Sequence, residues 1–299
     1  MQKFENCNVI KFIDRTFNYD IERAKKIWRE LQKDIYDKKY HFEVCLNLLD
    51  DQCFELFSPK FQFEIGIQST NPETLKAINR KSDNLENLKR LKSMDNIHIH
   101  ADLIVGLPFE TYEIFKKSFN DVFGHCDVLQ IGFLKLLKGT EIRKNAAKYN
   151  YVYSQTAPYT VLANDFLTYD EIYKLQKFET VLNRFFNSKK FSHIIDYLIP
   201  KFESPFAFFE GLAEHLPDIS NLSQIKAYEL FYSYAATFNI DWDVLKSYFE
   251  FDFLLNETSQ CPRIFASNQS GNEYRFAFDT EHVYLINRKN HLYYLKSIV

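Results

Sequence analysis

Glycine is scarce in this sequence, with seven among 299 residues, and methionine and tryptophan occur only twice each. A disulfide framework is missing too: five cysteines spread over this length read as reduced thiols of the cytosol. Neither charge dominates. The 37 basic and 40 acidic side chains leave a net charge of −3, which argues against a nucleic-acid footprint. No apolar run approaches the roughly 20 residues that span a bilayer. The opening MQKFENCNVIKF has no apolar signal-peptide segment. Internal repeats, low-complexity segments and long linkers are also lacking. The expectation is a soluble, cytoplasmic protein with neither a membrane nor a nucleic acid as partner.

What is present is a core-forming composition, 46% hydrophobic and 17% aromatic, with 30 Phe and 19 Tyr. The first half alternates between two periodicities. Strands are predicted at Asn8–Phe17, His41–Asn47, Phe61–Ser69, His98–Leu107 and Val128–Leu137. Helices are predicted at Asp20–Lys38, Asp50–Phe57, Leu85–Met94, Glu110–Phe123 and Glu141–Tyr149, with a further helix start at Asn71-Pro72. Such alternation implies a parallel sheet, curled by right-handed crossovers into a partial (β/α) barrel of about five units. An open doubly wound sheet is the competing architecture. After Ala157-Pro158 the pattern becomes helical with aromatic-rich faces, and the last segment reads as a small β element. This divides the chain into residues 1–155, an α/β domain, and 156–299, a mainly helical domain.

The few glycines are not scattered evenly. Gly66, Gly106, Gly124, Gly132 and Gly139 fall in the α/β half, and Gly211 and Gly271 beyond it. Gly66, Gly106 and Gly132 lie inside predicted strands, where glycine packs nothing and usually marks a close approach. Ligands of parallel α/β folds bind at the carboxyl ends of strands. A flat, partly apolar ligand over a glycine floor would suit this pattern; relief of strand–helix crowding is the plainer explanation.

Five segments together resemble the radical S-adenosylmethionine (radical SAM) superfamily, in the branch associated with cobalamin. FEIGIQSTNPETLKAINR is similar to its fourth-strand segment, HIHADLIVGLPFET to its fifth strand and VLQIGFLKLLKGTEIR to its sixth. VIKFIDRTFN resembles the second strand of the cobalamin-associated branch, and SPFAFFEGLAE…FEFDFLLNE an uncharacterised domain often appended to such proteins. The resemblance implies S-adenosylmethionine and a 4Fe-4S cluster as cofactors, with cobalamin beside them, and radical chemistry such as methyl transfer. One departure matters: the Cys-x-x-x-Cys-x-x-Cys motif that holds the cluster is not found among Cys7, Cys45, Cys53, Cys126 and Cys261. The expectation is therefore an amino-terminally truncated core, catalytically silent alone, whose partner is a separate fragment carrying the cluster motif. Two other readings fit the same residues: a non-enzymatic remnant acting as a binding or partner subunit, and an unrelated (β/α)-barrel enzyme.

The resemblance also implies a cofactor site. Gln68 and Ser69 would lie near the ribose and methionine part of S-adenosylmethionine, with Glu64 sharing the strand face of Gly66 and Gln68. Ile104, Val105 and Gly106 would form an apolar shelf beside the adenine, and the backbone of Leu136 and Leu137 would meet its edge. Asp14 and Arg15 would meet the amino and carboxylate groups, or pair at the rim instead. Glu43, mid-strand, needs a partner, and Arg15 is the candidate. His98 and His100 share a face but open their strand, away from the ligand end. No metal site is expected from them or from Cys45 and Cys53.

Overall fold

The computed structural model describes residues 7–35, 38–81, 85–94, 97–217, 219, 221–267, 269, 273–278, 282–287 and 292–297. Gly271 lies outside them. Five parallel strands form one sheet: β1 (Val9–Lys11), β2 (Lys39–Glu43), β3 (Phe61–Gln68), β4 (His98–Val105) and β5 (Val128–Phe133). Their spatial order follows chain order, β1-β2-β3-β4-β5. That order has no reversal point, so it is not the doubly wound alternative. Crossovers of one hand running in one direction put their helices on one face, which is the arrangement of a partial barrel.

The connecting helices are α1 (Ile21–Gln32), α2 (Asp51–Glu55), α3 (Pro72–Ala77), α4 (Leu85–Lys92) and α5 (Tyr112–Val122). Asp20 starts α1 by accepting the amide of Arg23, Asp50 caps α2 through Cys53, and Pro72 occupies the first turn of α3. Strict alternation along β3 and β4 gives the sheet two different faces. Phe61, Phe63, Ile65, Ile67, Ile99, Ala101, Leu103 and Val105 are buried. Against them lies an aromatic cluster in which Trp28 meets Phe17, Phe42, Phe57 and Phe63. Each fully buried ring of this kind contributes roughly 1.5–3 kcal/mol. The opposite face carries Gln62, Glu64, Gln68, His98, His100, Asp102 and Ile104, all half-buried.

Two strands are shorter than their sequence suggests. The run VIKFIDRTF leaves the sheet after Lys11: Phe12 makes one more ladder bond to His41, Ile13 is 93% exposed, and Phe17 turns back to pack on Trp28. At the other edge the chain departs after Phe133, because Lys135 pairs antiparallel with Thr160 of a following hairpin. That hairpin joins β6 (Val152–Tyr153) to β7 (Val161–Ala163), after the single turn α6 (Glu141–Lys144).

The chain divides into two compact units, residues 1–176 and 177–299. The boundary expected near 155 thus falls within the first, for a physical reason. The hydroxyl of Tyr151 and the amide of Asn164 both donate to the carbonyl of Gly106, at 2.8 and 3.0 Å, fastening the hairpin to the end of β4.

The second unit takes up the end of α7 (Tyr169–Val181) and continues with α8 (Ser192–Leu198), α9 (Pro205–His215), α10 (Gln224–Ala235) and α11 (Trp242–Asn256). Its core is aromatic: Phe185, Phe191, Phe231 and Phe249 are fully buried with Tyr228. An antiparallel sheet of β8 (Glu273–Phe276), β9 (His282–Asn287) and β10 (Leu292–Ser297), in the order β10-β9-β8, packs on α11. Phe251 and Leu254 there meet Tyr274, Phe276 and Ile286.

Candidate functional site

The polar face of the sheet is a continuous row of titratable groups set by strand register. Glu43 pairs with Glu64 and Glu64 with His100, while Gly66 pairs with Asp102 and Asp102 with Gln130. Lys11 from β1 and His41 from β2 both reach Glu64, at 2.9 and 2.8 Å. Burial pushes the Glu64 carboxyl up, but the bonds from Lys11 and His41 outweigh it and hold it below its ordinary range. Glu43 is raised, by burial first and then by Glu64. Its charge is felt by Arg15, which moderates that rise without a direct ion pair.

Asp102 is the outlier of this face. Burial, reinforced by Glu64 and Glu43, raises its carboxyl to about 7, against the opposing pull of Lys11 and Arg80. A carboxyl that titrates near neutrality can give or take a proton there. Toward the other end of the strand His98 and His100 approach through their Nε2 atoms at 2.9 Å, and His98 lies 3.7 Å from Asp127. Burial, His98 and His41 together hold His100 below its ordinary value.

The space over Gly66 is taken by the protein itself. A Cβ there would meet the Gln68 amide at 2.5 Å and the Arg80 guanidinium at 3.6 Å, and Arg80 donates to the Gly66 carbonyl. Gln68 sits at φ +68 where the β3–β4 register shifts. Gly106 has φ +95, a conformation that disfavours any side chain, and is walled by Leu134 and Val161. The two glycines therefore lie toward the same end of adjacent strands, but their floor is covered.

An open cleft lies beside this spot, beyond the carboxyl ends of β4 and β5. One part, of about 580 Å³, runs past Asn79, Phe109, Lys148 and Tyr149. A second, of about 290 Å³, reaches Leu107, Pro108 and Leu134, and the two share Ala77, Asn79, Glu141, Asn145 and Tyr149. Phe109 and Tyr149 form an edge-to-face pair 5.7 Å apart.

The residues expected from sequence are distributed unevenly about this cleft. Glu64, Gly66, Gln68 and Ile104 share the polar face, whereas Val105 points into the buried one. Ser69 is fully buried and turned away, bonded to Asn71 and near Ser118, beside the carboxyl of Glu110 that burial raises to about 7. Asp14 lies beyond β1 in a loop and accepts from Arg23 at 3.3 Å; Arg15 is exposed beside it. The backbone of Leu136 and Leu137 is engaged within the chain. Arg143 donates to the Leu136 carbonyl and Thr140 to that of Leu137, at 2.7 Å each, while the two amides bond to Tyr159 and Lys135. Sequence reasoning missed Asp102, Asn79 and Tyr149. The alternation of HIHADLIV places Asp102 on the histidine face, a usable signal; nothing local marks the other two.

Residues 1–122 match the family model of the radical SAM superfamily. This is a radical SAM domain. Residues 147–293 match a family described as a protein of unknown function, DUF4080. Among curated proteins, the cobalamin-dependent radical SAM methyltransferase TokK of Streptomyces tokunonensis is 40% identical over 63 residues, 20% of this chain and 9% of that protein. The 2-(S-pantetheinyl)-carbapenam-3-carboxylate methyltransferase of Streptantibioticus cattleyicolor matches to the same extent. The match thus spans a small fraction of these relatives' length. Among solved structures, TsrM of Kitasatospora setae, a radical S-adenosylmethionine methyltransferase with cobalamin and a 4Fe-4S cluster bound, is 17% identical with a TM-score of 0.42. It covers 54% of this chain and 35% of its own. Methanocaldococcus infernus Elp3 is 20% identical with a TM-score of 0.32, over 43% of this chain and 32% of its own.

The cysteines of the first unit do not fit a cluster. Cys53 is buried under Asp50, and burial raises its thiol to about 11, far from the thiolate a cluster needs. Cys126 is buried, Cys7 contacts the Val9 carbonyl, and Cys45 lies beyond β2. Among the described residues no three Cys, His, Asp or Glu side chains converge as metal ligands. No described helix is long and apolar enough to cross a membrane.

Proposed function

We propose that residues 1–176 bind S-adenosylmethionine in the cleft beyond β4 and β5, as the cofactor-holding core of a radical SAM enzyme. The observation that carries this reading is the cleft itself, which combines an aromatic pair with amide and charged groups at the carboxyl ends of parallel strands. Phe109 and Tyr149 would hold the adenine, the amides of Asn79 and Asn145 its edge, Glu73 and Glu141 the ribose hydroxyls, and Lys76 and Lys148 the carboxylate. Bound S-adenosylmethionine supplies a methyl or an adenosyl group. Asp102, able to hold a proton near neutral pH, is the group of the polar face suited to proton transfer.

The scattered cysteines support the further reading that this chain does not cleave S-adenosylmethionine reductively by itself. The cluster, and cobalamin with it, would come with a separate amino-terminal fragment; the methyl transfer named for the two curated relatives is the reaction proposed for that assembly. Five free thiols suit a reducing cytoplasm. A non-enzymatic binding subunit is the second reading, favoured by the same cysteine placement.

Calorimetric titration with S-adenosylmethionine, S-adenosylhomocysteine and adenosine tests the site. All three are expected to bind, more weakly than in a cluster-bearing enzyme, and Tyr149→Ala to weaken each about tenfold through lost stacking. Absence of saturable binding by all three would sink the proposal. Adding the cluster-bearing fragment and a reductant separates the two readings: formation of 5′-deoxyadenosine supports an enzyme, its absence a binding subunit.

A further inference from the structure

The second unit holds a cavity of about 430 Å³ that no strand-top chemistry explains. It is lined by Asn183, Arg184, Ser188, Lys190 and Gln224, with Thr180 and Ile219 completing it. That volume falls within the roughly 300–1,000 Å³ of small-molecule sites.

Its hydrogen-bond donors are left unfinished. Arg184 gives Nη2 to the Leu222 carbonyl at 2.8 Å, yet its Nε is buried with no partner. The side-chain nitrogen of Gln224 is likewise buried and unpaired. Buried donors are almost always satisfied, so two orphans on the wall of one cavity call for an acceptor that the chain does not supply. The charge points the same way: among the described residues the lining has two cations and no acid, and Lys190 is paired with Glu257 at 2.8 Å, whereas Arg184 has no ion pair.

The backbone is unusual at the same place. α7 runs on into a π-helical segment, Leu182–Asn187, which carries Asn183 and Arg184 to the cavity wall. Such segments are rare and concentrate at functional sites. Gln224 opens α10, so the positive end of a 12-residue helix lies at the same wall.

We propose that this cavity binds the oxyanion group, phosphate or carboxylate, of a small molecule, with Arg184 as its principal ligand and Gln224 beside it. A planar guanidinium with a free N–H edge is the side chain suited to such an acceptor. Both orphan nitrogens are covered by the surrounding side chains, so binding requires the Arg184 fork to turn outward toward the anion. The site lies wholly in residues 177–299 and does not depend on what the strand-top cleft binds.

The full chain is titrated with inorganic phosphate and, separately, with succinate, by calorimetry and thermal melting at ionic strength held constant with chloride. Saturable binding of either, with a raised melting temperature, is expected; phosphate alone identifies a phosphorylated ligand, succinate alone a carboxylic one. Arg184→Met is expected to weaken that binding about tenfold or more. Gln224→Leu, which deletes an orphan donor with little change of volume, is expected to weaken it less without lowering the anion-free melting temperature. No saturation by either anion up to about 50 mM would overturn the proposal. Binding by either variant equal to that of the native chain would overturn the assignment of that residue, and equality for both would overturn the site.

Discussion

Asp102 concentrates the electrostatic cost of the polar face in one carboxyl. Its folded value near 7 lies above that of the unfolded chain, so the folded state holds the extra proton between roughly pH 4 and 7. Stability from this group is therefore fully present below the unfolded value and is lost as pH rises through 7. Asp102→Asn is expected to raise stability at pH 8 by roughly 1–3 kcal/mol and to change little at pH 4, as read by denaturant unfolding at both values. An equal effect at both would show that charge is not the cause. The glycines separate two reasons for one residue type. Gly106→Ala is expected to cost about 1–2 kcal/mol, because φ +95 rather than space forbids the side chain. Gly66→Ala has only the flexible end of Gln68 in its way and should cost less.

At the scale of elements, the alternation of parallel strands and helices was legible in the sequence, because period-two alternation in FQFEIGIQ and HIHADLIV and the helix start at Asn71-Pro72 are local signals. The ends of the outer strands were not. An apolar run reads as strand whether or not a neighbour offers it a ladder, and VIKFIDRTF has such a neighbour for only its first few residues. The cleft was invisible for a similar reason: Asn79 and Tyr149 are brought together from positions 70 residues apart by the turn that ends α3 and the segment after α6. The hairpin clamp is equally nonlocal. Tyr151→Phe leaves Asn164 on the Gly106 carbonyl and is expected to cost about 0.5–1.5 kcal/mol. Adding Asn164→Ala orphans that carbonyl, so the double variant should cost more than the two single changes summed; simple additivity in thermal melts would count against a shared clamp.

For the whole molecule, composition was informative in one respect and silent in another. Seventeen per cent aromatic content announced large cores, and both units have them, around Trp28 in one and Phe231 in the other. It could not announce a polar cavity in a unit whose helices read as core. The cysteines act at this scale too, since they are spread over 299 residues and do not converge among those described. Anaerobic reconstitution of the chain with iron and sulfide is expected to yield no stoichiometric cluster absorbance; a stable cluster would show that ligands assemble outside the described geometry.

The contact between the His98 and His100 rings has room for one hydrogen between two nitrogens. Acid supplies a second, and two imidazolium ions cannot keep that separation. Because His100 takes up its proton less readily when folded than when unfolded, mild acidification below about pH 6.5 draws on folding energy. The start of β4 should then be the part of the sheet that loosens first in vinegar-like buffers, read as early loss of amide-exchange protection there.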